Sequence, residues 1–230
     1  MDKIFEEHGI LINRESAVQL EFYMDLLLSW NEKMNLTTIT NREEIVVKHF
    51  LDSLMLLKFE EIKGQSLIDI GTGAGFPGLV LKIAENSLNT TLMDSLSKRL
   101  VFLNEVISKL GLENIKLNHS RAEDLAHDFD LRESFDIAAS RAVAKVNTLC
   151  EYALPYVKIG GIFVAYKGPE YSEELKEAAS AIETLGGELE RVEEFKIKEH
   201  SRSLIFIRKL SQTPPNYPRK SNTIAKKPII

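Results

Sequence analysis

Leu67-Ile68-Asp69-Ile70-Gly71-Thr72-Gly73-Ala74-Gly75-Phe76-Pro77-Gly78 is an apolar run that ends in a glycine-rich turn and leads into a second apolar period, the order of strand, loop and helix. Glycine is needed where a chain turns sharply and where a ligand must lie against bare backbone. Two spacings overlap in this stretch. Gly73, Gly75 and Gly78 satisfy G-x-G-x-x-G, which cradles a pyrophosphate, while Asp69, Gly71, Gly73 and Gly75 satisfy D-x-G-x-G-x-G. A turn that needs its glycines for shape alone is the third reading. Asp69 helps to choose. A carboxylate at the strand end repels a pyrophosphate seated on the helix N-terminus and attracts a ligand carrying an ammonium or a sulfonium. Pro77 also removes one backbone N–H that a phosphate would use.

From Ser66 onward, short apolar runs alternate with amphipathic stretches, the pattern of βαβ units around a parallel sheet. Strands are predicted over 66–70, 90–93, 115–118, 135–140 and 161–166, with helices over 78–86, 98–110, 145–157 and 172–185 and a short one after Ser120. Strands over 188–197 and 202–208 follow Gly186-Gly187 with no helix between them, so they form an antiparallel hairpin at one end of the sheet. Ahead of the loop, Val18, Phe22, Leu26 and Trp30 recur at i+4, with Tyr23 and Leu27 beside them, as the apolar stripe of a helix over 15–33. A second helix opens at Thr40, with Glu43 at capping-box distance, and runs to about Phe59. The expected fold is α/β, a mostly parallel seven-stranded sheet with a C-terminal hairpin. The division is a helical cap over 1–62, a ligand-binding domain over 63–210 and a basic tail over 211–230, which is Pro-rich and polar and is expected to be mobile.

D-x-G-x-G-x-G is the loop of S-adenosylmethionine-dependent methyltransferases, and further features follow in the order they require. Asp94, at the end of the second strand, can bind both ribose hydroxyls, although it suits a dinucleotide as well. Ser120-Arg121-Ala122-Glu123 follows the third strand, where such enzymes recognise adenine with a backbone N–H and a carboxylate; Ser120 and Glu123 also have capping-box spacing, and the two readings are compatible. Ile159-Gly160-Gly161 and the closing hairpin belong to the same pattern.

Trp30-Asn31 with Asn35-Leu36-Thr37, His49 with Leu51-Asp52-Ser53, the loop itself, Asp94-Ser95, Lys98-Arg99, Ser140-Arg141-Ala142, Lys167-Gly168, Tyr217-Pro218-Arg219-Lys220 and Lys226-Lys227-Pro228 together resemble one family along nearly the whole chain. It is the glucose-inhibited division protein B family, the 16S ribosomal RNA 7-methylguanosine methyltransferases of the small subunit. WNxxxNLT and HxLDS make the combination specific. The resemblance implies a class I methyltransferase (Rossmann-like) fold with a helical cap, S-adenosyl-L-methionine as cofactor and a guanosine of small-subunit RNA as substrate. By it Gly71, Phe76, Ala122, Glu123 and Arg141 match cofactor-binding positions, beside Asp69, Gly73, Gly75 and Asp94. Ala74 stands where relatives often carry proline.

Methylation of an exocyclic amine usually uses an N/D-P-P-aromatic segment after the fourth strand, and carbon methylation of pyrimidines needs a cysteine nucleophile. Here that segment is Ser140-Arg141-Ala142-Val143, and Cys150 lies within a predicted helix as a small apolar residue. Guanine N7 carries no proton, so attack on a sulfonium methyl needs neither a general base nor a covalent intermediate, and alignment can supply roughly 7 to 11 kcal/mol. Arg141 and Lys167, at the ends of strands four and five, are the candidates for holding the reacting base; the bland alternative for each is a surface ion pair. Arg commonly grips guanine through O6 and N7, but N7 must stay free, so contact to O6, a phosphate or the cofactor carboxylate is expected. Lys98, Arg99, Arg121 and Arg202 are weaker candidates for RNA phosphates. His49, Asp52 and Ser53 share one helix but lack the oxyanion site and nucleophile turn of a hydrolase, so they read as packing of the cap on the cofactor loop.

The chain has 230 residues, 44% hydrophobic and 27% charged, enough to bury a core, and a net charge of -5 that by itself argues against a nucleic-acid partner. The mean conceals a split. Arg208 to Ile230 holds six basic residues and no acid, so the preceding residues hold 23 basic against 34 acidic, or -11. Arg219, Lys220, Lys226 and Lys227 are therefore expected on RNA. One cysteine makes no disulfide, no metal-ligand spacing occurs among the five histidines, no apolar leader opens the chain, and no uncharged run reaches the roughly 18 residues of a membrane span. A cytoplasmic monomer without metal or membrane is expected, acting on 16S rRNA or a small-subunit particle. The rivals are a methyltransferase-fold RNA-binding assembly factor without activity and a nucleotide-dependent oxidoreductase.

Overall fold

The computed structural model describes residues 1–141 and 144–230. Ala142 and Val143, part of the segment singled out after the fourth strand, lie outside the described residues. Seven strands, β1 (Ser66–Ile70), β2 (Asn89–Asp94), β3 (Ile115–His119), β4 (Phe135–Arg141), β5 (Val157–Lys167), β6 (Gly187–Ile197) and β7 (His200–Lys209), form one sheet in the order β3-β2-β1-β4-β5-β7-β6. The first five pair in parallel; β7 enters antiparallel between β5 and β6. The chain reverses its lateral direction between β1 and β4, and sheets of this kind bind ligands at that switch point, beyond the carboxyl ends of the strands.

The cap consists of α1 (Asp2–Glu7), α2 (Arg14–Asn31) and a broken helix made of α3 (Arg42–Ile45), a π-helical turn (Val46–Leu51), α4 (Asp52–Leu54) and α5 (Leu56–Phe59). Two expectations are corrected here. The apolar stripe expected on α2 is covered only in part: Tyr23 and Leu27 are fully buried together with Leu20, and Leu26 and Trp30 pack against the core, but Val18 and Phe22 are 59% and 40% exposed. Apolar residues occupy both flanks of this helix, and neighbours, not period, select the buried one. The second helix starts at Asn41, whose side chain accepts from the N–H of Glu44 at 3.0 Å, so the Thr40–Glu43 capping box does not form.

The remaining helices are α6 (Gly78–Ala84), α7 (Ser97–Leu110), α8 (Ala122–Leu125), α9 (Val146–Ala153, continued by a 3-10 turn over Leu154–Tyr156), α10 (Ser172–Glu177), α11 (Ala179–Thr184) and α12 (Ser221–Lys226). The cap shares one apolar core with α6 and α7, and α9 and α11 belong to a second core against β1, β4, β5 and β7. Cys150 is buried in that second core and burial pushes its thiol pKa up, as suits a packing residue.

The tail is not free, contrary to the expectation of mobility. Thr213 and Ile224 are buried, Arg132 donates to the carbonyls of Thr213, Pro214 and Tyr217, and His127 meets the carbonyl of Pro218 at 3.0 Å. Arg219 closes on Glu151, itself 1% exposed, through its backbone N–H, Nε and Nη2 at 2.8, 2.8 and 2.6 Å. The groups that anchor the segment, the buried Glu151 among them, are supplied by distant parts of the chain, which its own composition does not reveal.

Candidate functional site

Two clefts open along the carboxyl edge of the sheet. The first, about 170 Å³, is lined by Ile70, Gly71, Met93, Asp94, Ser95, Ser120, Arg121, Ala122, Glu123, Tyr152 and Ser221, at the ends of β1, β2 and β3. Its rear wall is the glycine loop. The N–H groups of Gly71 and Thr72 both donate to the carbonyl of Met93 at 3.0 Å, and those of Gly75 and Phe76 donate to the carbonyl of Thr72 at 2.9 Å. The N–H of Gly73 donates to Asp94 at 2.9 Å and that of Gly78 to Asp69 at 2.8 Å. These amides are thus consumed within the loop, and few are left for a phosphate.

The loop's glycines are needed for two reasons. Gly75 has φ +106, and a Cβ there would lie 2.7 Å from the Tyr23 hydroxyl; a Cβ on Gly78 would lie 2.6 Å from Asp69 Cβ. Asp69 is fully buried, with Oδ2 accepting from Thr72 Oγ1 at 2.6 Å as well as from Gly78, while Oδ1 is buried without a partner. Burial raises its pKa to about 6 against the opposing pull of those two hydrogen bonds. Asp94 is 2% exposed and accepts also from the N–H of Leu96 and from Arg99. Arg99, expected on RNA, is therefore tied to this carboxylate. Glu123, 6% exposed, faces Arg121 at 3.9 Å, and Ser120 caps nothing, its hydroxyl turning to the carbonyl of Arg121. With Asp94 and Glu123 on its wall, Asp69 buried at the adjoining strand end and the loop amides already used, the first cleft suits a cationic ligand with ribose hydroxyls better than a pyrophosphate.

The second cleft, about 560 Å³, lies between the cap and the ends of β4 and β5, and its wall includes Lys48, His49, Asp52, Arg141, Lys167, Glu174 and Arg202. Arg141 donates to Asp52 at 2.9 Å, to the carbonyl of Lys48 at 3.1 Å and to Nδ1 of His49 at 3.1 Å, and its guanidinium lies 4.8 Å from the centre of the Phe76 ring. It lines this cleft and not the first. Arg202 reaches the same carboxylate at 3.3 Å, and Lys167 pairs with Glu174 at 2.6 Å and donates to the carbonyl of Ala144.

His49 joins the two clefts. Its ring stacks on Phe76 with centroids 4.4 Å apart and planes 17° from parallel. Burial, reinforced by Arg141, depresses its pKa to about 3, so the ring is neutral; Nδ1 accepts from Arg141, which leaves Nε2–H to donate to Thr37 Oγ1 at 2.8 Å. Thr37 is delivered by Asn31, whose side-chain oxygen accepts from the N–H groups of Leu36 and Thr37. The WNxxxNLT and HxLDS stretches thus build the contact between cap and loop that the sequence suggested. Sequence reasoning missed Asp52 as the carboxylate shared by two arginines, and Tyr152 and Ser221 in the first cleft. HxLDS could have signalled Asp52; no local signal marks Ser221.

Among the remaining candidates, Lys98, Lys220, Lys226 and Lys227 are exposed, whereas Arg219 is held in its ion pair with Glu151 and Arg121 donates to Ser221 at 3.2 Å. Among the described residues no group of acidic, histidine or cysteine side chains suits a metal, and no helix is long and apolar enough to cross a membrane.

Over residues 16–205 the chain matches the family described as rRNA small subunit methyltransferase G. It is 52% identical over 225 residues to the ribosomal RNA small subunit methyltransferase G of Lachnoclostridium phytofermentans, covering 96% of this chain and 93% of the relative. It is 48% identical over 232 residues to that of Clostridium perfringens strain 13, covering 100% and 97%. Among solved structures, M. jannaschii TYW2 in complex with AdoMet superposes with a TM-score of 0.56 at 16% identity over 75% of this chain and 80% of that one. An S-adenosylmethionine-dependent O-methyltransferase of Thermotoga maritima does so with 0.53 at 16% identity over 82% and 72%. These two likenesses establish the class I methyltransferase fold.

Proposed function

The chain belongs to the rRNA small subunit methyltransferase G family, and on that premise we propose that it transfers a methyl group from S-adenosyl-L-methionine to N7 of a guanosine in 16S ribosomal RNA. The observation that carries this reading is the pairing, on one sheet edge, of a carboxylate-lined cleft whose loop amides are already used with a cation-lined cleft. S-adenosylmethionine, when bound, supplies a methyl group activated by its sulfonium. The buried and unpartnered Oδ1 of Asp69 suits its ammonium, and Asp94, Gly71 and Ala122 with Glu123 line the cleft where its ribose and adenine would lie, with Gly73, Gly75 and Phe76 proposed to complete the loop around it. The same carboxylates and spent amides disfavour a dinucleotide and with it the oxidoreductase rival.

Arg141 and Lys167 hold and orient the guanosine or its phosphates from the second cleft, with Arg202 beside them. N7 needs no deprotonation, and no base is required: His49 is neutral, with one ring nitrogen accepting from Arg141 and the other donating to Thr37. Its part is to fix Arg141 and Phe76 relative to one another. Both clefts are built from a single chain, which favours a monomeric enzyme, working in the cytoplasm where ribosomal RNA is assembled. Lys98, Lys220, Lys226 and Lys227 are available for RNA phosphates; Arg219 serves the fold instead. The cap over 1–62 and the domain over 63–210 then meet at the substrate cleft, the domain carries most of the cofactor cleft, and the tail over 211–230 flanks it.

The test is to incubate the full chain with methyl-labelled S-adenosylmethionine and 16S rRNA, free or in particles, and to locate 7-methylguanosine by borohydride–aniline cleavage. Label at one guanosine is expected. RNA binding with no transfer would overturn the enzymatic reading and leave an assembly factor.

A further inference from the structure

Ser221 is the first residue of α12, yet it lines the cleft formed by the ends of β1, β2 and β3. Its hydroxyl accepts from Arg121 at 3.2 Å, and Arg121 and Tyr152 line the same cleft. The position is held from both sides. Upstream, Pro218 is fixed by His127 and Arg219 is locked on the buried Glu151; downstream, Ile224 is fully buried and α12 packs on α9.

We propose that the C-terminal segment 217–224 forms a wall of the cofactor cleft, with Ser221 as a positioning residue that holds Arg121 at its adenine end; this rests on the methyltransferase reading above. The geometry distinguishes the role from mere packing. The Arg219–Glu151 pair anchors the segment to α9 without touching the cleft, whereas Ser221 lines the cleft itself and accepts from Arg121, which lines it too. Arg121, read from sequence as an RNA-contacting residue, is aimed at this cleft as well. Cofactor in the cleft closes off solvent on the inner side of α12, so binding and the order of the segment reinforce one another.

The experiment measures S-adenosylhomocysteine binding by calorimetry to the full chain and to Ser221→Ala and Ser221→Thr, together with amide hydrogen exchange over residues 217–224 with and without that ligand. Loss of one neutral hydrogen-bonding group in Ser221→Ala should weaken binding about 3- to 10-fold, and Ser221→Thr, which keeps the hydroxyl, should stay within about twofold. In the unaltered protein the ligand should slow exchange across 217–224. That second readout needs no variant and is not moved by a purely structural tail. Equal affinity of Ser221→Ala and the parent, with exchange unchanged by ligand, would overturn the inference. A parent chain that fails to bind S-adenosylhomocysteine would overturn the methyltransferase reading instead.

Discussion

On the β1–β3 side of the switch point lie buried carboxylates: Asp94 and Glu123 on the cleft wall, and Asp69 at the end of β1 beneath the glycine loop. On the β4–β5 side the strand ends present cations, Arg141 and Lys167, joined by Lys48 from the cap and Arg202 from β7. One sheet edge thus offers acceptors to one ligand and donors to another. The difference shows how the fold separates a cationic cofactor from an anionic substrate. The loop amides, which in a dinucleotide site would face a pyrophosphate, are here turned inward by Met93, Thr72, Asp69 and Asp94. The cations opposite are held in place by Asp52 and Glu174 until substrate competes for them.

The strongest way to break this arrangement is to remove the arginine that ties the cation cleft to the cap. Arg141→Ala leaves Asp52, 5% exposed, with only Arg202 at 3.3 Å, and removal of one partner of a buried pair costs about 3–5 kcal/mol. Urea unfolding should show a loss of that size, and Asp52→Asn in the same chain should recover part of it. A midpoint equal to that of the parent would mean that the cation cleft is not organised by this pair.

On the acceptor side the corresponding change is Asp69→Asn. The amide oxygen can still receive Gly78 N–H and Thr72 Oγ1, so the loop is kept while the charge is lost. A hydrogen bond to a charged group contributes about 1.5–3 kcal/mol, so S-adenosylhomocysteine should bind about 10- to 150-fold more weakly. Affinity within twofold of the parent would place the ammonium elsewhere.

A milder perturbation is pH. Asp69 has a pKa raised to about 6 by burial, and a cationic ligand prefers its ionised form. Affinity should therefore fall as pH drops below about 6, by up to about tenfold per unit, one proton being taken up in the free protein. His49, depressed to about 3, stays neutral through that window and contributes no slope there. For folding stability the two groups act in opposite directions: the depressed His49 withdraws stability as pH falls from about 6.5 toward 3, and the raised Asp69 returns some between about 6 and 4. The affinity slope should vanish in Asp69→Asn, and its persistence would assign it to another group.

The acceptor cleft was legible in the sequence because its makers are local: Asp69 to Gly78 is one turn, and Asp94 sits at the next strand end. The cation cleft was only half legible. Arg141 and Lys167 announced themselves by position after β4 and β5, but Asp52, which binds Arg141 from 89 residues away, reads on its helix as one polar residue among several. Val18 and Phe22 misled for a related reason, since period identifies a stripe and only the neighbours decide whether it is covered. The tail misled most. Its prolines and lysines argue for disorder, yet Glu151, Arg132 and His127 lie 68 to 91 residues away in sequence and supply what its composition lacks.

That correction changes how the charge on the tail must be tested. Cutting at residue 211 would remove Thr213, Arg219 and Ile224 and leave the buried Glu151 unpaired, so any loss of RNA binding would be mixed with unfolding. Replacing Lys220, Lys226 and Lys227 with glutamine keeps the anchor, because all three side chains are exposed. If they meet phosphates, log K for 16S rRNA against log salt should flatten by about 0.7 to 0.9 for each phosphate no longer neutralised, at nearly constant S-adenosylhomocysteine affinity. A small slope change is the expected scale, since the body of the protein carries the larger cation set in the second cleft. An unchanged slope would assign RNA attraction to that cleft alone and leave the tail as the wall of the first.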